Sequence, residues 1–366
     1  MSDNRRVYRR IESKLRQLFP QRLTGNQARH MNTLAAMITG IVQSKSCNLG
    51  AMAGKIPTKN QVASVEKKFT RFIKNDNVSY DLFFLPFIIV ILQQLSQSGP
   101  LLLAMDASVT GRKCMTLMVS LIYNNRAIPI AWVTVTGSKG HLSEDIHLEL
   151  LDKVKPLIPT GANVIFLGDG EFDGNRLQAA INNEENWEYV CRTAKNRLVC
   201  SDGDSFALDE ILLLPGDCID IPKAAVTADK YGPVLVIAWW EEGYKEPIYL
   251  VTNMECTQEA CHWYSYRFTI ETFFSDQKSR GFNLQKSHLS SPERIARLLI
   301  ASCIAYIWII YLGVLAVKNK VLPEIHRRGR CDLSLFQLGL RYLERILNQE
   351  LEIPFELILP KLKSVR

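Results

Sequence analysis

The chain has 366 residues, 47% hydrophobic and 22% charged, with 20 Gly, 15 Pro and 9 Cys. These proportions exclude a disordered, collagen-like or disulfide-stapled protein and fit two or three folded domains. The net charge of +7 divides into +10 over residues 1–98, −9 over 99–258 and +6 over 259–366, a pattern suited to a polyanion on basic arms and a cation at an acidic centre.

Residues 1–95 have helical periodicity. Arg5, Arg6, Arg9 and Arg10 make a basic stripe, and Ile11, Leu15, Leu18 and Phe19 an apolar face. The period continues over 28–42 and 62–73, and 82–95 is strongly apolar, until Gly99 and Pro100 punctuate the chain. No apolar signal segment occupies the first 30 residues, and the cysteines include no C-x-x-C pair. Reduced thiols and a cytoplasmic location are therefore expected.

After Pro100 the pattern turns to strands. Residues 101–107, 114–123 and 127–136 are rich in Leu, Ile, Val and Thr and are separated by turn residues. A helix is predicted over 143–158, a buried strand over 163–167, a helix over 174–183 and a strand over 187–193. Three antiparallel strands followed by helix, strand, helix and strand is the order of a ribonuclease H-like domain. Residues 198–255 read as a β-rich stretch punctuated by Gly, Pro and Asp, and long helices return from Thr257. Residues 298–317 carry no charge and are long enough to span a bilayer. A helix apolar all round equally suits the centre of a large domain, which is the reading adopted.

Two predicted strands end in an aspartate. Alternation puts Leu102, Ala104 and Asp106 on one face, and Ile165, Leu167 and Asp169 on another, with Gly168 and Gly170 leaving room beside the second carboxylate. Two carboxylates at neighbouring strand ends are costly to bury unless a cation meets them, and they suit Mg²⁺ or Mn²⁺. A lone strand-end Asp more often just caps a turn. Residues 264–278 read as a helix in which Tyr264, Arg267, Glu271 and Lys278 fall within about 60° of one another. Without the aspartates, that stripe is as well explained by a solvated Arg267–Glu271 pair.

The spacing Tyr264-x2-Arg267-x3-Glu271-x6-Lys278 resembles the signature of a branch of bacterial insertion-sequence DDE transposases. The blocks around Asp106 and Asp169 resemble that family too, as do Phe273, Phe274 and Gly281. The resemblance covers roughly residues 95–315. It implies a ribonuclease H-like core in which Asp106, Asp169 and Glu271 are the catalytic triad. They would hold two Mg²⁺ ions, replaceable by Mn²⁺, for in-line cleavage and strand transfer. It further implies that Arg267 and Lys278 contact terminal phosphates, that Tyr264 helps to hold the end, and that cleavage passes through a DNA hairpin. Glu171 and Asp173 are further carboxylates able to assist a metal. In the β-rich stretch a Trp would stack on a flipped base. Trp239 and Trp240, expected on opposite faces of one strand, are the candidates, though both also suit a core. Arg192, Lys195 and Arg197 are expected along the same cleft.

The implied organisation is a helical, basic DNA-binding region (1–98), a catalytic core in two parts (99–197 and 259–320), a β-rich insertion (198–258) and a helical tail (321–366). The basic run 326–330 would extend the DNA surface. Expected partners are terminal inverted repeats and target DNA, with the chain a homodimer at paired ends, nucleoid-associated when bound and free of membrane. A metal nuclease of the same core without strand transfer, and an inactive DNA-binding descendant, remain alternatives.

Overall fold

The computed structural model describes residues 2–19, 23, 25–137, 140, 142–327 and 332–360. It is a mixed α/β structure. Six helices come first: α1 (Asp3–Leu18), α2 (Gly25–Ser44), α3 (Leu49–Ala53), α4 (Val62–Lys74), α5 (Tyr80–Phe83) and α6 (Leu85–Ser96). Then come strands β1 (Leu101–Gly111), β2 (Cys114–Tyr123) and β3 (Arg126–Thr136), α7 (Glu144–Val154), β4 (Val164–Gly168), α8 (Asn175–Asn182) and β5 (Trp187–Thr193). The predicted order of elements over 101–193 therefore holds.

Residues 198–252 supply β6 (Leu198–Ser201), β7 (Asp204–Ala207), β8 (Cys218–Val226), β9 (Tyr231–Trp239) and β10 (Ile248–Thr252). They do not form a sheet apart. One ten-stranded sheet runs β3-β2-β1-β4-β5-β10-β9-β8-β6-β7, with β10 antiparallel to β5. β1 is antiparallel to β2 but parallel to β4, which is parallel to β5. Consecutive residues of β2 are buried from Cys114 to Leu121, so both faces of this part of the sheet are covered.

The remaining helices are α9 (Thr257–Tyr264), α10 (Ile270–Gln277), α11 (Pro292–Lys318), α12 (Leu322–Ile325) and α13 (Leu335–Asn348). α11 is long and apolar enough to cross a membrane, yet 94% of its apolar window is buried inside the protein. α2, α4, α13 and β3 all pack on it. The crossing with α13 is close: a Cβ at Gly313 would lie 1.9 Å from the Leu335 carbonyl oxygen, and one at Gly339 would lie 1.9 Å from that of Ile309.

Two expectations about the termini are corrected. The tail is helical only to Asn348; residues 351–358 are extended, burying Ile353, Phe355 and Leu357. Alternate residues face inward because this segment lies in a groove as a strand would. It runs along α1, whose basic stripe is accordingly divided. Arg6 donates to the Leu347 and Leu351 carbonyls, Arg10 pairs with Glu352 at 3.0 Å, and Lys14 with Glu356 at 2.9 Å. Farther along, Trp308 donates to the Pro354 carbonyl, and the Gln94 amide exchanges two 3.1 Å hydrogen bonds with the Leu359 backbone. Of the basic run 326–330, residues 328–330 lie outside the described residues.

Candidate active site

Register builds the acidic pair. Ala104 of β1 stands opposite Leu167 of β4 in parallel pairing, so Asp106 and Asp169, each two residues on, are set beside one another. Asp106 lies within the long β1, while β4 ends at Gly168 and Asp169 follows it. The Asp106 carboxylate accepts the Ala107 N–H at 2.7 Å, and Asp169 accepts the Glu171 N–H at 2.9 Å. Burial first, then the Asp169 charge, pushes the Asp106 carboxyl up to about 7. The small residue that ends β4 is required: a Cβ on Gly168 would lie 2.8 Å from the Phe172 Cβ.

The predicted single helix over 264–278 is corrected. It breaks into α9, a 3₁₀ turn at Arg267–Thr269 and α10. The Ser265 hydroxyl takes the His262 carbonyl at 2.7 Å, and Tyr266 and Thr269 close i→i+3 backbone bonds at 3.0 Å, a local competition that tightens the helix. Arg267 is thereby turned inward and is 7% exposed at its side chain. Its guanidinium lies 3.1 Å from Glu271 and 3.5 Å from Asp169, joining the helical carboxylate to the sheet.

Lys278 leaves the helix as its C-cap, with φ −95° and ψ −132°, so it does not continue the predicted stripe. Its ammonium donates to the Ser108 hydroxyl on β1. Burial lowers its pKa and the Asp106 charge opposes that. Tyr264 is 2% exposed, with a hydroxyl that has no hydrogen-bond partner among the described residues. Burial pushes that phenol up to about 12. It therefore presents almost no surface to the cleft.

Two cavities flank the acidic pair. One of about 600 Å³ is lined by Asp169, Glu171, Arg192, Lys195, Tyr249 and Arg267. The other, about 430 Å³, is lined by Ala107, Ser108, Met115, Glu171 and Lys278. Arg192 and Lys195 thus reach the cleft as expected, with Arg192 also 3.6 Å from Glu246. Arg197 does not. It is half-buried in a pair with Asp173 at 2.9 Å, and Asp173 also accepts the Thr193 hydroxyl. That carboxylate is satisfied by an Arg and a Thr, and neither Asp173 nor Arg197 lines either cavity. Glu171 accepts the Leu142 N–H at 2.7 Å while lining both cavities.

Trp239 ends β9, and Trp240 lies beyond it with its indole N–H on the Tyr244 carbonyl at 3.0 Å. They do not alternate across a strand, because the strand stops between them. Both are half-buried, at the sheet end where Ala238, Tyr249 and Thr193 stand in register, but neither lines either of these two cavities. Tyr249 does, and sequence reasoning missed it. Its signal was alternation along β10 in register with β5. Ser108 was also missed; it stands two residues beyond Asp106.

The donor set is suited to a hard dication: two carboxylates set side by side by neighbouring strands, one pushed toward its protonated form by burial and by the charge of the other. As the side chains stand, no group of three or more His, Cys, Asp or Glu among the described residues is gathered to hold a metal ion. Glu271 instead meets Arg267.

A family model described as a transposase DDE domain matches residues 103–308. The fold can be superposed on the cryo-EM structure of a piggyBac transposase synaptic complex with hairpin DNA, at 11% identity and a TM-score of 0.41, covering 99% of this chain and 84% of that one. No curated protein matches. With more than half its length matched, the chain belongs to the DDE transposase family.

Proposed function

We propose that the chain is a bacterial insertion-sequence transposase of the Tyr-x2-Arg-x3-Glu-x6-Lys branch, with Asp106, Asp169 and Glu271 as its catalytic carboxylates. The observation that carries this reading is the Asp106–Asp169 pair on parallel β1 and β4, joined through Arg267 to Glu271. The strand order β3-β2-β1-β4-β5 supports a ribonuclease H-like core.

Asp106, Asp169 and Glu271 would hold two Mg²⁺ ions, with Mn²⁺ a substitute, supplying Lewis-acid charge at the scissile phosphate. Glu271, its side chain 58% exposed, has room to turn from Arg267 toward the aspartates. Arg267, Arg192 and Lys195 line one cavity and clamp backbone phosphates there, the two Arg by forked hydrogen bonds and Lys195 as a point charge. Lys278, steered by Ser108, serves the second cavity. Strand scission and joining need no covalent enzyme intermediate. The substrates are terminal inverted repeats and target DNA, bound by a homodimer in the bacterial cytoplasm. A hairpin forms on the excised end, with Trp239 or Trp240 stacking on a flipped base.

The test is cleavage of duplex DNA carrying the repeats that bracket the gene. Mg²⁺-dependent nicking, hairpin formation and joining of the 3′ end to a second duplex are expected. Ala at Asp106, Asp169 or Glu271 should abolish all three steps. Retained cleavage in any one of these variants would overturn its assignment, and cutting without joining would make the chain a nuclease.

A further inference from the structure

In the N-terminal +10 region, α4 presents a basic face that makes no ion pair among the described residues. α1 gives Arg6, Arg10 and Lys14 to the segment 347–356. α4 is different. Val65, Phe69, Phe72 and Ile73 are buried, while Lys67, Arg71 and Lys74 are exposed and make no ion pair among the described residues. At about 100° per residue these three cations lie within roughly 60° of each other, directly opposite the buried face. The only acid on α4, Glu66, falls outside that arc. Three like charges on one face repel each other, so the helix keeps them at a penalty that a polyanion would reverse.

The face also lies on a continuous path from the acidic pair. Gly111 ends β1 five residues beyond Asp106, about 17 Å on. There a Cβ would meet the Ile295 Cδ1 of α11 at 2.2 Å, and the Arg112 N–H donates to the Leu289 carbonyl at 2.8 Å. One half-turn along α11, Arg297 donates to the Ile73 carbonyl at 3.3 Å, next to Lys74. A duplex leaving the cleft past the end of β1 and following these contacts along α11 is led to the Lys74 end of α4.

We propose that α4, through Lys67, Arg71 and Lys74, binds the phosphate backbone of duplex DNA outside the cleft. The inference rests on the transposase reading above and assigns its non-specific DNA grip to α4 in place of α1. Backbone contacts of this kind release counterions, so each steepens the salt dependence of binding by about 0.9 in log–log slope.

The experiment measures binding of a mixed-sequence duplex of about 40 base pairs, some four turns, between roughly 50 and 200 mM salt. It compares the whole chain with the triple variant Lys67→Gln, Arg71→Gln, Lys74→Gln. A charge-matched control carries Lys153→Gln, Lys230→Gln and Lys320→Gln. The triple variant should lose about 2.7 from the slope, so its affinity changes about 40-fold less than wild type over that range. The control should keep the wild-type slope. If the triple variant does not melt cooperatively, single variants serve, each expected to lose about 0.9. An unchanged slope in the α4 variants, or an equal loss in the control, overturns the inference alone. Wild-type protein that binds no duplex at any salt overturns the transposase reading and the inference with it.

Discussion

Asp106→Asn should stabilise this protein in the absence of divalent cations while abolishing its proposed chemistry. In the fold the Asp106 carboxyl is raised from 3.8 to about 7, by burial and then by Asp169. A raised acid favours the folded state fully below its unfolded value, near pH 4. That contribution is lost as pH climbs through about 7. Three pH units correspond to about 4 kcal/mol, taken as a ceiling. Asn keeps the shape of the protonated acid at every pH, so the variant should escape the loss. At about 2 °C per kcal/mol for a chain of this size, melting in EDTA should coincide for the two proteins near pH 4. It should separate in favour of Asn by on the order of 5 °C near pH 8. Asp276, raised to about 6 mainly by burial, is present in both and cancels in the difference. Excess Mg²⁺ should raise the wild-type melting point at pH 8 and leave the variant nearly unmoved. Parallel pH curves for the two proteins, or a variant less stable at pH 8, would refute this account of the pair.

Three further outcomes are expected. Arg267→Ala leaves Asp169 and Glu271 without the guanidinium between them; a loss of about 1–3 kcal/mol in urea unfolding is expected, discounted because both carboxylates are partly exposed. Lys at that position should restore less than half of it, since it cannot fork. Asp173→Ala strands the half-buried Arg197 and should destabilise by about 2 kcal/mol, less than for a fully buried pair, yet preserve Mg²⁺-dependent cleavage at low temperature. Abolished cleavage in that folded variant would return Asp173 to the metal site. Gly339→Ala puts a methyl against the Ile309 carbonyl and should lower the unfolding free energy by about 3 kcal/mol; a smaller change would mean that α11 and α13 separate easily.

What could be read in the sequence was set by local chemistry. Alternation along β1 and β4 gave the facing of Asp106 and Asp169, which the parallel register sets side by side, because facing depends on the residues immediately beside them; that β1 runs on to Gly111, leaving Asp106 inside it, did not show. The order of elements over 101–193 was legible for the same reason. The helix over 264–278 was misread because helical periodicity carries no information about Ser265 taking the His262 carbonyl. Likewise Arg197 and Arg192, five residues apart in one basic cluster, differ only through partners far away in sequence: Asp173 for one and the open cleft for the other. Nor does composition show that β6–β10 would join the edge of β5, since a sheet edge accepts any strand with a free ladder.

The extended segment beside α1 also constrains how the molecule is made. Arg6 and the Leu347 carbonyl it binds are separated by 341 residues, and Gln94 waits 265 residues for Leu359. On a ribosome adding roughly 5–20 residues per second, α1 spends tens of seconds with its cations and apolar groove bare. The N-terminal helices and the acidic pair can form during synthesis, but the groove closes only once residues 347–359 emerge. The nascent chain is thus at its most basic and adhesive while still tethered to its message. Removing this late-made segment should leave a protein that collapses normally and then associates through the uncovered face of α1.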